Sequence, residues 1–316
     1  MFLQCQHVTI VLFEAPPWLT DASAEVMVAS VAHEPADDEA LLYTLIGSQF
    51  GAKVVAALDA CRVPYRIVEV DIMKMKQQLA PPHTVPQMRW RGELLTDSAD
   101  ILAAIDRFVD AAAAPFKLYP TPQKTLIEEL EQYCGTTLNG YIIYFTWWVE
   151  EGFAASYERK MVEYNTVLSI LPLWLARRIL PWLVDTGRMR GAQRKKARTI
   201  LGDALIPPGR TPEPEEATRM RASLVEVVRA LDARFATAAQ QWLCATDHPS
   251  AADFAAYGIL ERLVGNEGDA NMGSAAPWLF GEAQAERLRS WHARMVAAYP
   301  IRFNGKTANC QVWAKL

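Results

Sequence analysis

The stretch Leu42–Leu58, LYTLIGSQFGAKVVAAL, decides the fold. Leu42 to Ile46 is a short apolar run with Tyr and Thr, stopped by Gly47, and from Phe50 the apolar residues fall at helical spacing: Phe50, Val54, Leu58. The pattern predicts a strand that turns directly into a helix. Ser48 stands at the junction, where a hydroxyl caps the first free amides and the partial positive charge of the helix end is directed outward. An anion is welcome at such a place.

Downstream, Pro64–Asp71 (PYRIVEVD) sets Tyr65, Ile67 and Val70 among polar residues, a second strand, and the crossing by way of a helix implies a parallel βαβ unit. Ile72–His83 is a basic, methionine-containing segment ending in Pro81 and Pro82, read as a loop or short helix. Thr84-Val85-Pro86 leads into QMRW, the turn residues Arg91-Gly92, and ELLTD: a third strand, a hairpin and a fourth strand, with Gly92 supplying the positive φ. Ser98 opens another helix with Ile101, Leu102, Ile105 and Val109 along one face. Residues 110–122 (DAAAAPFKLYPTP) carry three prolines and mark a domain boundary.

Everything beyond reads as helical. Gln123–Trp148 has Leu126, Leu130, Tyr133 and Cys134 at helical spacing and then the aromatic cluster Tyr141, Tyr144, Phe145, Trp147 and Trp148. Thr166–Val184 is strongly apolar, but Pro172, Pro181, Arg177 and Arg178 interrupt it and argue against a membrane-spanning helix. A basic tract from Arg188 to Arg198 and a proline-rich connector, Ile206–Glu216, follow. An amphipathic helix is predicted over Glu215–Leu243, a capping box at Ser250–Asp253, and a last helix near Ala283–Tyr299.

The chain of 316 residues has room for two ordinary domains. Its net charge of -4 gives nucleic acid no global attraction. The five cysteines are odd in number, scattered and never in a C-x-x-C pair, which points away from a zinc site or a disulfide framework and toward a reducing compartment. The first basic residue is Lys53, so the start of the chain lacks the basic region of a secretory signal or transit peptide, and a cytoplasmic protein is expected.

Three landmarks together resemble the glutathione transferase superfamily: LYTLIGSQFGAKV with Ser48 five residues before Lys53, Val85-Pro86, and Asp97-Ser98, with Gly92 where the intervening hairpin glycine belongs. The resemblance covers residues 40–110 well and 240–300 weakly. It implies a thioredoxin-like βαβ-ββα domain over residues 39–110, a linker over 111–122, and an all-helical bundle domain over 123–316 whose segment from about 150 to 240 is enlarged. Residues 1–38 would be an extension of unknown role. It further implies that Ser48 interacts with the glutathione sulfur, that Val85, before a cis Pro86, pairs with the tripeptide backbone, and that Asp97 and Ser98 hold the γ-glutamyl end. Lys53, Lys74, His83, Tyr141, Tyr144 and Trp148 are further candidates for contacts to glutathione or to an apolar electrophile. Glutathione is then the co-substrate, no metal is called for, and a homodimer is expected.

The chemistry is feasible. A thiol with a pKa of about 8.5 is only a few per cent ionised at neutral pH, and lowering it by two units takes about 2.7 kcal/mol. A hydrogen bond from Ser48 to a charged sulfur contributes about 1.5 to 3 kcal/mol and the helix end about 0.3 to 2. The nucleophile is the cofactor's own thiolate, so no Ser-His-Asp set is required.

Each residue also has a plainer reading. Ser48 and Ser98 can be simple caps, with Asp97 serving the helix dipole; Lys74, Lys76 and His83 can be a solvated loop; the aromatics can be core. Thr166–Val184 with the basic tract after it is either a buried helix pair or a surface that touches an anionic membrane, which keeps a non-catalytic, transferase-like interaction module as the alternative. A glutathione-dependent thiol reductase is disfavoured because Ser48 cannot form a mixed disulfide.

Overall fold

The computed structural model describes residues 39–45, 48–70, 75–109, 115–149, 189–209, 214–237, 239–265, 275–301, 303 and 310–312. The predicted N-terminal extension, Lys74, and Thr166–Val184 lie outside the described residues.

The chain begins with β1 (Ala40–Thr44), α1 (Gln49–Ala60), β2 (Tyr65–Glu69), a single turn α2 (Met75–Gln78), β3 (Gln87–Trp90), β4 (Glu93–Leu95) and α3 (Ser98–Phe108). β1 pairs in parallel with β2 and antiparallel with β3, and β3 pairs antiparallel with β4. This is the thioredoxin-like βαβ-ββα arrangement. Gly92 takes φ 78° in the β3–β4 turn. A short strand near the chain end, β5 (Cys310–Val312), joins β2 and completes the order β4-β3-β1-β2-β5. The helices that follow are α4 (Lys124–Tyr133), α5 (Asn139–Trp148), α6 (Met189–Leu201), α7 (Glu216–Asp232), α8 (Ala251–Val264), α9 (Leu279–Ala283) and α10 (Glu286–Ala298).

Two helices form the centre. The spacing of Phe50, Val54 and Leu58 suggests one apolar face, yet Ala52, Val54, Val55, Ala56, Ala57 and Leu58 are all fully buried. A helix apolar all round must be covered all round. α8 supplies the second cover, and it too is buried over Ala251–Leu263. The two approach closely because of Gly258: a Cβ there would lie 2.5 Å from the Gln49 carbonyl oxygen and 2.9 Å from the Lys53 nitrogen.

The predicted capping box holds α8 at its start. Asp253 Oδ2 accepts from the Ser250 amide at 2.9 Å and its hydroxyl at 2.7 Å, while Oδ1 accepts from the Leu243 amide at 3.0 Å and Trp291 Nε1 at 2.9 Å. Burial pushes the Asp253 pKa up, and these donors oppose the shift. Satisfying a buried carboxylate on both oxygens is what makes it tolerable there.

Three helix boundaries differ from the sequence expectation. Gln123–Trp148 is not one regular helix: a π turn, Cys134–Leu138, separates α4 from α5, at Gly135 and at Thr136, whose hydroxyl donates back to the Gln132 carbonyl at 2.8 Å. The helix predicted to reach Leu243 stops at Asp232, whose carboxylate leaves its own helix to accept from the Leu288 amide at 2.7 Å and so caps α10. The predicted last helix is α10, which begins at Glu286 and not at Ala283 because Gln284 takes a left-handed φ of 53° and separates it from the short α9.

Candidate glutathione site

Ser48 caps α1 with extended backbone (φ −70°, ψ 119°). Its Oγ accepts from the Gly51 amide at 3.1 Å, which leaves the hydroxyl hydrogen available to donate outward. The side chain is half-buried, and no acidic residue occupies the first turn of α1. The positive end of that helix is therefore not neutralised by a carboxylate of its own first turn.

The sheet register brings the three landmarks to one edge. Tyr43 pairs with Gln87 across β1 and β3, so Pro86 continues beside Thr44 at the carboxyl end of β1. Met88 pairs with Leu95 across β3 and β4, so Asp97 follows at that same edge. Ser48 lies one turn past β1, its amide donating to the Leu45 carbonyl at 3.0 Å.

The Val85–Pro86 peptide is cis, and neither the N–H nor the C=O of Val85 pairs with another described residue. The loop before it is pinned by Gln87, whose buried amide accepts from the Ala80 N–H at 3.0 Å and donates to the Ala80 carbonyl at 2.7 Å. His83 sits in this loop with a left-handed φ of 59°, and its Nδ1 lies 2.7 Å from the Leu79 carbonyl oxygen. That contact makes Nδ1 the donor and leaves Nε2 as the outward ring nitrogen.

Asp97 caps α3, its Oδ1 accepting from the Ala99 amide at 2.7 Å, and its carboxylate is exposed. Ser98 beside it is buried, and Lys53 Nζ reaches its Oγ at 3.4 Å. Lys53 is itself only 4% exposed and pairs with Glu131 of α4 at 2.5 Å, while Glu131 also accepts from the Tyr119 hydroxyl at 2.7 Å. Burial and Glu131 together push the Tyr119 pKa up, which keeps that phenol a donor. Lys53 thus stands behind Ser98 as its support. A cleft of about 690 Å³ opens here, lined among others by Phe50, Lys53, Asp97, Ser98, Tyr119 and Glu131.

The aromatic candidates are elsewhere. Tyr141 and Tyr144 are 2% and 1% exposed, and Tyr141 shares a hydrogen bond with Ser223 at 2.5 Å. Burial and Glu216 push the Tyr144 pKa up. Trp148 is half-buried with the Arg194 guanidinium 5.3 Å from its ring centroid, and Arg194 is committed to a buried bidentate pair with Glu216. None of the three aromatics lines the cleft; they pack the helical core, and Arg194 is withdrawn from the basic tract. Lys195 and Lys196 remain exposed.

Cys61, Cys134 and Cys244 are buried and free, and burial pushes each thiol up to about 12. Burial of this kind disfavours the thiolate, which is the reactive form of cysteine. Among the described residues no group of His, Cys, Asp and Glu could hold a metal ion, and no helix is long and apolar enough to cross a membrane.

Glu131, Tyr119, Asn139 and Gly258 escaped the sequence reading. One signal was present: a lysine between Ala52 and Val54 in an otherwise apolar helix demands a partner once buried.

Known protein families match two parts of the chain. Residues 47–107 match the family described as glutathione S-transferase, N-terminal domain, and residues 214–294 match glutathione S-transferase, C-terminal domain. The chain belongs to the glutathione S-transferase superfamily, a family of glutathione-dependent transferases. Among solved structures it is similar to the beta-etherase LigF from Sphingobium sp. strain SYK-6, at 17% identity and a TM-score of 0.50, over 82% of this chain and 95% of that one. Poplar glutathione transferase F1 aligns at 15% identity and a TM-score of 0.49, over 82% and 92% of the two chains. A glutathione S-transferase from Rhodospirillum rubrum F11 aligns at 16% identity and 0.47, over 82% and 88%. These likenesses concern the fold. No curated protein matches the sequence.

Proposed function

We propose that the protein is a serine-type glutathione transferase that conjugates the glutathione thiolate to a small apolar electrophile. The observation that carries this reading is the convergence of a neutral Ser48, whose Oγ accepts at the start of α1, with Val85, whose backbone pairs with no other described residue, and the Asp97–Ser98 corner at one sheet edge. In this reading Ser48 donates to the thiolate and the helix end adds its field. Val85 pairs with the cysteinyl backbone of the tripeptide. Asp97 takes the γ-glutamyl ammonium with its free oxygen, and Ser98, accepting from Lys53, turns its own hydrogen to the γ-glutamyl carboxylate. His83 Nε2 is the candidate for the glycine carboxylate. Residues 39–110 are the glutathione-binding domain and the helices after residue 122 provide the electrophile side.

Retention on immobilised glutathione, with turnover of a generic aryl halide, tests the proposal. Wild type is expected to be retained and active, and Ser48→Ala retained but nearly inactive. A wild-type protein that passes through the column and turns nothing over would end the proposal. The reading extends to a cytoplasmic homodimer, for which light scattering should return twice the chain mass.

A further inference from the structure

Gln49 follows Ser48 directly, and its side chain crosses to the helical part of the molecule: Nε2 donates to Asn139 Oδ1 at 2.7 Å, between residues 90 apart in sequence. Asn139 is 4% exposed and is the first residue of α5, immediately after the π turn. Its amide returns to the Cys134 carbonyl, the i to i+5 bond that defines that turn. One extra residue in a helix rotates everything after it by roughly 100° relative to an uninterrupted α-helix. The π turn therefore selects which residue meets α1, and a polar one meets it.

Two more contacts act on the same turn of α1. Gly258 lets α8 close on the Gln49 carbonyl and the Lys53 nitrogen, and Lys53 is tied to Glu131. Residues 49 and 53 are thus held from the helical side, and between them lies the Gly51 amide to which Ser48 Oγ is bonded.

We propose that Asn139 is a positioning residue for the thiolate: by fixing Gln49 it fixes the capping turn, and so the direction in which the Ser48 hydroxyl donates. This rests on the serine-type reading above. The consequence is that a residue of the helical domain sets how strongly the sulfur anion is stabilised in the other one.

The test is ultraviolet titration of the thiolate of glutathione bound to the full chain, with kcat and KM measured alongside. Asn139→Leu is expected to raise the pKa of the bound thiol by about one unit, a tenfold loss of thiolate below that pKa. KM for glutathione should stay within about twofold, because the peptide contacts are untouched. Gln49→Leu should give the same shift, and the double variant no more than either, since both remove one contact. Asn139→Ser replaces the leucine variant if the latter does not fold. A purely structural role would lower the melting temperature and leave the thiol titration where it was. Unshifted titrations in the single variants, or shifts that add in full, overturn the inference while leaving the serine-type reading intact. A wild-type chain that binds glutathione without lowering its thiol pKa overturns that reading, and the positioning role with it.

Discussion

Two helices start at the same sheet edge, and their caps are opposites. α1 begins at Ser48, a neutral residue, with no acidic side chain in its first turn. α3 begins at Asp97, with Asp100 one turn in, so its positive end is already served by the chain's own carboxylates. The first start attracts an anion and the second has an acidic oxygen to spare for a cation. On the function proposed above, glutathione would place its thiolate at the first start and its ammonium at the second, and the pair of caps would set the direction of the tripeptide. The difference teaches that a single element type, a strand-to-helix turn, is given opposite polarity by one residue.

The largest expected effect comes from the support shared by both starts. Lys53→Met leaves Glu131 buried without its cation, and an uncompensated buried charge costs about 3 to 5 kcal/mol. Chemical denaturation should show that loss, and Lys53→Met combined with Glu131→Gln should recover much of it. Next is Ser48→Ala: removing one preorganised donor from a developing or stabilised anion lowers kcat/KM by about 100-fold. Its stability should fall by only about 1 kcal/mol, the worth of a cap. Gly258→Ala follows, because a Cβ would meet backbone atoms that cannot rotate away; overpacking of this kind costs about 1 to 3 kcal/mol in thermal melts. The smallest is Asp97→Asn, which caps α3 as well as aspartate does but carries no charge. KM for glutathione should rise by about tenfold, or 1.4 kcal/mol, with kcat retained. An unchanged KM would mean that the acidic cap is only a cap and that the contrast between the two starts has no functional side.

The sequence made the local half of this comparison legible. Ser48 after a glycine-stopped strand and Ser98 at the opening of a helix are read from residue types at short offsets, because capping chemistry acts over a few residues, whereas the grouping of Val85-Pro86 and Asp97-Ser98 with Ser48 comes from the family resemblance. The capping box at Ser250–Asp253 was legible for the same reason. What could not be read is the long-range half. Lys53 meets Glu131 across 78 residues and Gln49 meets Asn139 across 90, and nothing in the string selects one carboxylate or one amide from the others. The same limit explains Tyr141 and Tyr144: their spacing fits a pocket wall as well as the commoner core role, and the packing of α5 against its neighbours decides for the core. The end of α7 was hidden because Asp232 is recruited by another helix, an event local propensity does not contain.

The central claim is that the start of α1 stabilises a sulfur anion through Ser48. Titration of the bound glutathione thiol in wild type and in Ser48→Ala measures it most directly. The account predicts a wild-type pKa about two units below the ordinary value near 8.5, returned most of the way by the alanine variant. A bound thiol that titrates at its ordinary value, or one that is equally depressed in both proteins, would contradict it.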